Sequence, residues 1–256
     1  MARIMVIAGT ADARELISEL LKHGTEVLAT VATGYGRELL DTHPKLEVNT
    51  GKLNSPEMKT LISDRRIDCI VDASHPFARE VSVNAIEAGN EEGIPYIRFE
   101  RACLNTEVDN IIRVKDFEAA SYEASKIAGN IFLTIGTNNL KYFKEKLPDF
   151  SKRVFARILP DSRMILKCEE AGLTAGNIMA IKGPFSVEMN LEMLKHCNAS
   201  AIVTKESGET GGTEEKLRAA AIMGIPVILI ERPEIDYGTK VSSVEEVLKL
   251  VEGIVK

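Results

Sequence analysis

Tryptophan is absent from the chain, aromatic residues make up only 5% of it, and its four cysteines stand far apart. With so few rings, a platform on which nucleic-acid bases stack is disfavoured. Cys69, Cys103, Cys168 and Cys197 include no close pair of the kind a zinc knuckle or redox motif requires, so neither metal nor disulfide is expected. They read as free thiols of a reducing compartment. The apolar runs stop at strand length, and no charged stretch followed by an apolar one stands at the N-terminus. That pattern predicts neither a membrane span nor a signal peptide, and places the chain in the cytoplasm. A formal charge of −6 argues against a broad nucleic-acid surface. It leaves room for an anionic small molecule wherever a few cations converge.

What is present is a repeat. Ile7-Ala8-Gly9-Thr10 is echoed by Thr134-Ile135-Gly136-Thr137. Ile67-Asp68-Cys69-Ile70-Val71, Gly93-Ile94-Pro95 and Glu100-Arg101 return as Ala199-Ser200-Ala201-Ile202-Val203, Gly224-Ile225-Pro226 and Glu231-Arg232. Val114 with Glu118 corresponds to Val241 with Glu245, each opening a helical stretch. A chain of 256 residues buries roughly 70 to 75% of its unfolded surface, enough for two similar lobes without staples. We expect one lobe over residues 1–104, a connection over 105–128 centred on the polar loop Asn105 to Asn110, and a second lobe over 129–256.

Apolar runs at Arg3 to Ala8, Glu26 to Ala32, Cys69 to Ala73 and Pro95 to Phe99 alternate with helical patterns such as Pro76 to Glu92. The second copy supplies runs at Asn130 to Ile135, Arg153 to Leu159, Asn177 to Ile181, Ala201 to Thr204 and Pro226 to Ile230, with helices centred on Leu140, Leu166, Met189 and Arg218. Repeated strand and helix units predict an α/β fold with parallel sheets of about five strands, covered on both faces. Ligands of such sheets bind at strand carboxyl ends near the point where strand order reverses. The two sets of loops are expected to line one ligand cleft between the lobes.

The copies differ at those ends. In the first, Gly9, Thr10 and Ala11 form a strand-to-helix turn whose N–H groups favour a phosphate, and Arg14 stands one helical turn further on. The full dinucleotide glycine pattern is missing, so the turn alone is also what any α/β domain begins with. After the second strand come Thr33, Gly34, Tyr35, Gly36 and Arg37, with no carboxylate before Glu38. An acidic residue there selects NAD, so this segment favours NADPH over NADH; a solvated loop is the bland alternative. Asp72-Ala73-Ser74-His75-Pro76-Phe77-Ala78 closes the fourth run. Pro76 fits a first helical position with Ser74 or His75 as cap, a structural reading of most of the motif. His75 is the one titratable group there suited to moving a proton near neutrality. In the second copy, Lys182-Gly183-Pro184-Phe185 and Lys205-Glu206-Ser207-Gly208 end strands, and Gly211-Gly212 precede a helix. Small residues with lysine suit an anion, although the order of a phosphate loop is not met and a surface loop gives the same composition.

Taken together, the opening Gly-Thr with Ala13-Arg14, Val31-Ala32-Thr33-Gly34-Tyr35-Gly36, Asp72 to Ala78, Gly183-Pro184-Phe185-Ser186 and Thr204-Lys205-Glu206-Ser207-Gly208 resemble the precorrin-6A reductase family of cobalamin biosynthesis, over nearly the whole chain. The resemblance implies two Rossmann-like lobes with a cleft between them, and a hydride passed from a reduced nicotinamide nucleotide to a ring double bond of a corrin precursor. It marks Gly9, Thr10, Ala11, Arg14, Thr33, Gly34, Tyr35 and Ser74 as cofactor contacts and His75 as the catalytic candidate. Phe77, Lys182, Gly183, Pro184, Phe185, Lys205, Ser207, Gly208, Gly211 and Gly212 become contacts of an anionic tetrapyrrole. The chain departs from the family pattern at Ala8, where a glycine is usual, at Ser74 for threonine, and at Ala102-Cys103 for Pro-Trp. Two other readings use the same elements: a two-lobed nucleotide-sugar transferase, and a nucleotide- or tetrapyrrole-binding protein without catalysis. Loss of nicotinamide absorbance in the presence of the macrocycle separates the reductase from both.

Overall fold

Successive residues of the first strand, β1 (Arg3–Ile7), feed two separate cores, because side chains alternate across a strand. Ile4 and Val6 pack against Leu16, Ile17 and Leu20 of α1 (Ala11–Lys22) and against Val244, Val247 and Val251 of α11 (Val244–Ile254). Met5 and Ile7 pack against Met58 and Ile62 of α3 (Ser55–Arg65) and Ala85 and Ala88 of α4 (Arg79–Glu92). A strand buried on both faces reads as a continuous apolar run, as this one does. The computed structural model describes residues 2–102, 110–208 and 211–254. Cys103, most of the expected Asn105 to Asn110 loop, Glu209 and Thr210 lie outside the described residues.

The chain divides into two units, Met1–Ala102 with Glu234–Lys256, and Cys103–Pro233. In unit 1, β1 is joined by β2 (Glu26–Val31), β3 (Leu46–Thr50), β4 (Cys69–Asp72), β5 (Tyr96–Phe99) and β12 (Thr239–Val241), all parallel, with α2 (Gly34–Glu38) between β2 and β3. The spatial order is β12-β5-β4-β1-β2-β3. In unit 2 the strands are β6 (Ile111–Val114), β7 (Asn130–Leu133), β8 (Val154–Ile158), β9 (Ile178–Ala180), β10 (Ala199–Lys205) and β11 (Val227–Ile230). They lie in the order β6-β11-β10-β7-β8-β9, again all parallel. Its helices are α5 (Phe117–Ser125), α6 (Leu140–Lys146), α7 (Phe150–Arg153), α8 (Ser162–Ala171), α9 (Val187–His196) and α10 (Thr213–Met223). Each sheet is doubly wound, and its strand order reverses beside β1 and β4 in one unit and β7 and β10 in the other.

Both sheets hold six strands rather than five, and the division between units corrects the expected boundaries. Residues 111–125 are not a connection: they are β6 and α5, and β6 pairs with β11 in unit 2. Residues 234–256 do not belong to the second lobe: β12 pairs with β5, and α11 packs into the core of unit 1. The matched segments Val114 with Glu118 and Val241 with Glu245 have therefore been exchanged, each copy's last strand and helix completing the other's sheet.

A buried charge network accounts for the place of β12. Arg98 on β5 is 0% exposed and sits 3.0 Å from Asp72 Oδ1 and 2.6 Å from Glu100 Oε2. Lys240 on β12 lies 2.7 Å from the other oxygen of Glu100, and the Tyr237 ring stacks 5.1 Å from the Arg98 guanidinium. Asp72 Oδ2 also accepts from Ser82 and Tyr96. Two carboxylates thus meet two cations, and no buried charge is left over. Burial works to lower the pKa of Arg98, but Asp72 and Glu100 outweigh it and raise it. Removing one member strands the others in low dielectric. Arg98→Met is expected to cost about 3–5 kcal/mol in urea unfolding, with amide exchange rising in β4, β5 and β12 ahead of β6 and β11. An unchanged midpoint would contradict this role.

Candidate functional site

At the carboxyl edge of unit 1, the β1-to-α1 turn is built by Gly9 and Thr10. Gly9 holds φ +133°, which a side chain resists, and a Cβ there would meet nothing within 4 Å. Conformation rather than crowding selects glycine, and the space over the turn is open. Thr10 caps α1 by accepting from Ala13 N at 3.0 Å, and its hydroxyl donates to Ala73 O at 2.9 Å. The Thr10 side chain is thereby committed to the frame: it ties the turn to the β4 exit, and its donor proton is used. The first-turn amides of Ala11 and Asp12 have no carbonyl one turn earlier to accept from them, an arrangement that suits an anion.

Asp12 and Glu15 on α1 would repel such an anion, and Arg101 offsets both, at 2.9 Å and 2.5 Å. Arg14 Nη1 donates to Thr10 O at 3.2 Å. A cavity of about 430 Å³ runs along the flank of α1, with Arg14, Ser18, Leu21, Leu39, Asp41 and His43 in its wall. It adjoins the turn rather than covering it, since neither Gly9, Thr10 nor Thr33 to Tyr35 lines it. Thr33 caps the short α2 by accepting from Gly36 N, while Tyr35 is 45% exposed and Arg37 is exposed.

The Asp72 to Ala78 segment differs from its expected form. Pro76 does not open a helix, and neither Ser74 nor His75 is a cap: α4 begins at Arg79 after Ala78, which makes no side-chain cap. Residues 73–78 are a turn held from below. Ser74 N donates to Asp72 Oδ1, and Ser74 Oγ, 6% exposed, accepts from Arg98 at 3.3 Å. Its hydroxyl oxygen is thereby tied to the frame. His75 Nδ1 accepts from Phe77 N at 3.1 Å, so the neutral ring carries its proton on Nε2. Phe77 packs near that imidazole, with centroids 5.8 Å apart.

In unit 2 the Lys205 to Thr213 loop is bonded to itself. Ser207 N and Oγ both meet Thr213 Oγ1, at 3.2 Å and 3.1 Å, and Glu206, 3% exposed, pairs with Arg232 while accepting from Gly208 N. The glycines here answer to the chain's own side chains. A Cβ on Gly211 would stand 2.0 Å from Ser207 Oγ, and one on Gly183 would stand 2.9 Å from the Phe185 ring. The Gly183-Pro184 peptide bond is cis. Lys182 and Pro184 are exposed, Phe185 and Gly212 half-buried.

Two cations absent from the sequence-derived set stand beside these residues. Arg157, near the end of β8, lies 4.3 Å from the Phe185 ring centroid and donates to Asn190 Oδ1 at 2.8 Å. Lys216 on α10 is 6% exposed, and its ammonium donates to Gly211 O at 3.1 Å. Burial pulls Arg157 down to about 10 and lowers Lys205. Burial, reinforced by the charges of Arg157 and Lys205 and opposed by Glu215, brings Lys216 down to about 7. Arg157 was hidden in an alternating strand, and Lys216 read as one more polar residue of an amphipathic helix.

Because the folded value of Lys216 lies below the ordinary 10.5, the unfolded chain binds the extra proton between about pH 7 and 10.5, and stability rises with pH across that window. Lys216→Met removes this penalty. The variant is expected to be more stable at pH 7 by up to about 5 kcal/mol, the gain fading toward pH 10.5. Urea unfolding across that range checks it, and a loss of stability at pH 7 would refute the assignment.

Residues 3–252 match the family described as "Precorrin-6x reductase CbiJ/CobK". The chain is 42% identical over 246 residues to a cobalt-precorrin-6A reductase of Priestia megaterium, covering 96% of each. It is 38% identical to one of Methanothermobacter thermautotrophicus, covering 98% of this chain and 85% of that protein. A solved structure titled "CobK precorrin-6A reductase" superposes with a TM-score of 0.79 at 26% identity, over 99% of this chain and 97% of that one. With matching sequence over almost its full length and a matching fold in both units, the chain belongs to the precorrin-6x reductase family.

Proposed function

We propose that the chain is an NADPH-dependent reductase of cobalt-precorrin-6A or its metal-free counterpart, delivering a hydride to one carbon of a ring double bond and a proton to its neighbour. Membership of the family over residues 3–252 carries this reading. When bound, the reduced nicotinamide supplies the hydride, so the protein has to bind, orient and exclude water. In unit 1, Gly9, the amides of Thr10 and Ala11, and Arg14 hold the pyrophosphate. Thr33, Gly34, Tyr35 and Arg37 meet the adenine ribose. With no carboxylate before Glu38 they favour a 2′-phosphate, hence NADPH, with NADH a weaker alternative.

His75 is the proton donor we favour. The Phe77 N–H donated to Nδ1 fixes the neutral ring with its proton on Nε2; as a general acid the ring acts in its doubly protonated form, in which Nδ1 gives up that acceptor role. Phe77 of unit 1 supplies an apolar contact, and Lys182, Gly183, Pro184, Phe185, Lys205, Ser207, Gly208, Gly211 and Gly212 of unit 2 receive the polycarboxylate macrocycle. Ser207 and Gly211 act there by shaping the loop, because the Ser207 N–H is bonded to Thr213 Oγ1 and the Gly211 carbonyl to Ser207 Oγ and Lys216. The buried cysteines Cys69, Cys168 and Cys197 are free thiols, which suits the reducing cytoplasm.

Purified protein given cobalt-precorrin-6A and NADPH is expected to consume nicotinamide absorbance in step with macrocycle reduction. Absence of consumption with a competent substrate would overturn the reductase reading in favour of a transferase or a binding protein. Arg37→Ala is expected to lower the NADPH to NADH preference by about tenfold, the worth of one hydrogen bond to a charged group, while leaving kcat with NADH close to wild type. An unaltered ratio would place the ribose elsewhere.

A further inference from the structure

Within unit 2, Arg157 and Lys216 reach one locality from different elements. Arg157 rises from β8, its guanidinium 4.3 Å from the Phe185 ring centroid and anchored by Asn190. Lys216 comes from the first turns of α10 and is 94% withdrawn from solvent by its 6% exposure. Lys205, at the end of β10, is tied to the start of α10 by its carbonyl, which accepts from Thr213 Oγ1, and Arg157 bonds Asn190 and Met193 of α9, the helix whose Met193 shares a core with Leu217 and Ala220 of α10. Among the described residues neither Arg157 nor Lys216 has a carboxylate at ion-pair distance; their acceptors are Asn190 Oδ1, the Met193 sulfur and the Gly211 carbonyl.

Burying like charges without counter-charge costs stability, and a fold that seeks only stability uses apolar residues there. Elsewhere the chain does neutralise what it buries: Arg98 is matched by Asp72 and Glu100, and Arg232 by Glu206. The contrast within one molecule points to a counter-charge that arrives with a ligand.

We propose that Arg157 and Lys216, with Lys205 at the rim, form an oxyanion pocket in unit 2 that takes a carboxylate of the macrocycle's acidic side arms. The planar guanidinium, held by Phe185 and Asn190, offers a paired donor edge, and the Lys216 ammonium adds a point charge. Their separation on β8 and α10 means that the pocket reads one acid group at a defined place rather than total charge. This rests on the reductase reading for the identity of the acid. A nucleotide phosphate has the same chemistry and is the competing occupant.

The test uses full-length protein, Lys216→Met and Arg157→Gln, with three readouts: KM and kcat for cobalt-precorrin-6A, affinity for NADPH, and binding of uroporphyrin, an octacarboxylate tetrapyrrole, followed by its absorbance. Each variant is expected to raise the macrocycle KM and weaken uroporphyrin binding about tenfold or more, with kcat and NADPH affinity near wild type. Unchanged macrocycle KM and porphyrin affinity would overturn the pocket while leaving the reductase reading intact. Weakened NADPH binding instead would assign the site to a phosphate and overturn the proposal. Should wild-type protein show no turnover, the reductase reading falls, and porphyrin binding still decides the pocket: no wild-type binding, or equal binding by the variants, overturns it.

Discussion

The ion network around Arg98 is the constraint on which unit 1 depends. A fully buried guanidinium is tolerable only because Asp72 and Glu100 meet it, and Glu100 is in turn met by Lys240 from the far end of the chain. Pairing by charge therefore selects the strand that closes the sheet edge. The same network reaches the ligand side, because Asp72 and Arg98 hold Ser74, and Thr10 is bonded to Ala73. The turn that presents His75 and the turn that presents the α1 amides are two ends of one braced assembly.

Unit 2 uses charge differently. Glu206 and Arg232 brace its strand-end loop as a matched pair, but Arg157 and Lys216 meet no carboxylate among the described residues. A molecule that balances charge in its frame and withholds balance in one pocket has divided stability from binding. The cost falls on folding at neutral pH, where Lys216 resists protonation, and an anionic ligand reverses it. In this account the two copies have diverged most where their proposed chemistry differs: the open Gly9 turn and the exposed Thr33 to Tyr35 segment in unit 1, and the buried Lys216 beside the Lys205 loop in unit 2.

Much of the architecture was legible in the chain. Continuous apolar runs announced doubly covered strands, and the paired Gly-Ile-Pro and Glu-Arg signatures announced two similar units. The exchange of β6 and β12 was not legible, because the two edges are equivalent in pattern and strands of three or four residues carry too little periodicity to name a partner. β3 was passed over because its face is half exposed and its run includes Glu47 and Asn49. At the site, the glycine turns and His75 stood out by composition, yet spacing could not distinguish a hydroxyl offered to a ligand from one spent within the fold. Thr10 and Ser207 donate theirs within the fold. Arg157 and Lys216 were missed for the opposite reason: among the described residues neither has a carboxylate at ion-pair distance, which only three dimensions reveal.

The central claim is the division of labour between the two units. A crystal structure of the protein with NADP⁺ tests it most directly. The account predicts the pyrophosphate against the amides of Gly9 to Asp12 in unit 1, with the 2′-phosphate beside Thr33 to Arg37 and the cationic pocket of unit 2 unaffected. A nucleotide whose phosphates lie on Arg157, Lys205 and Lys216 would contradict it.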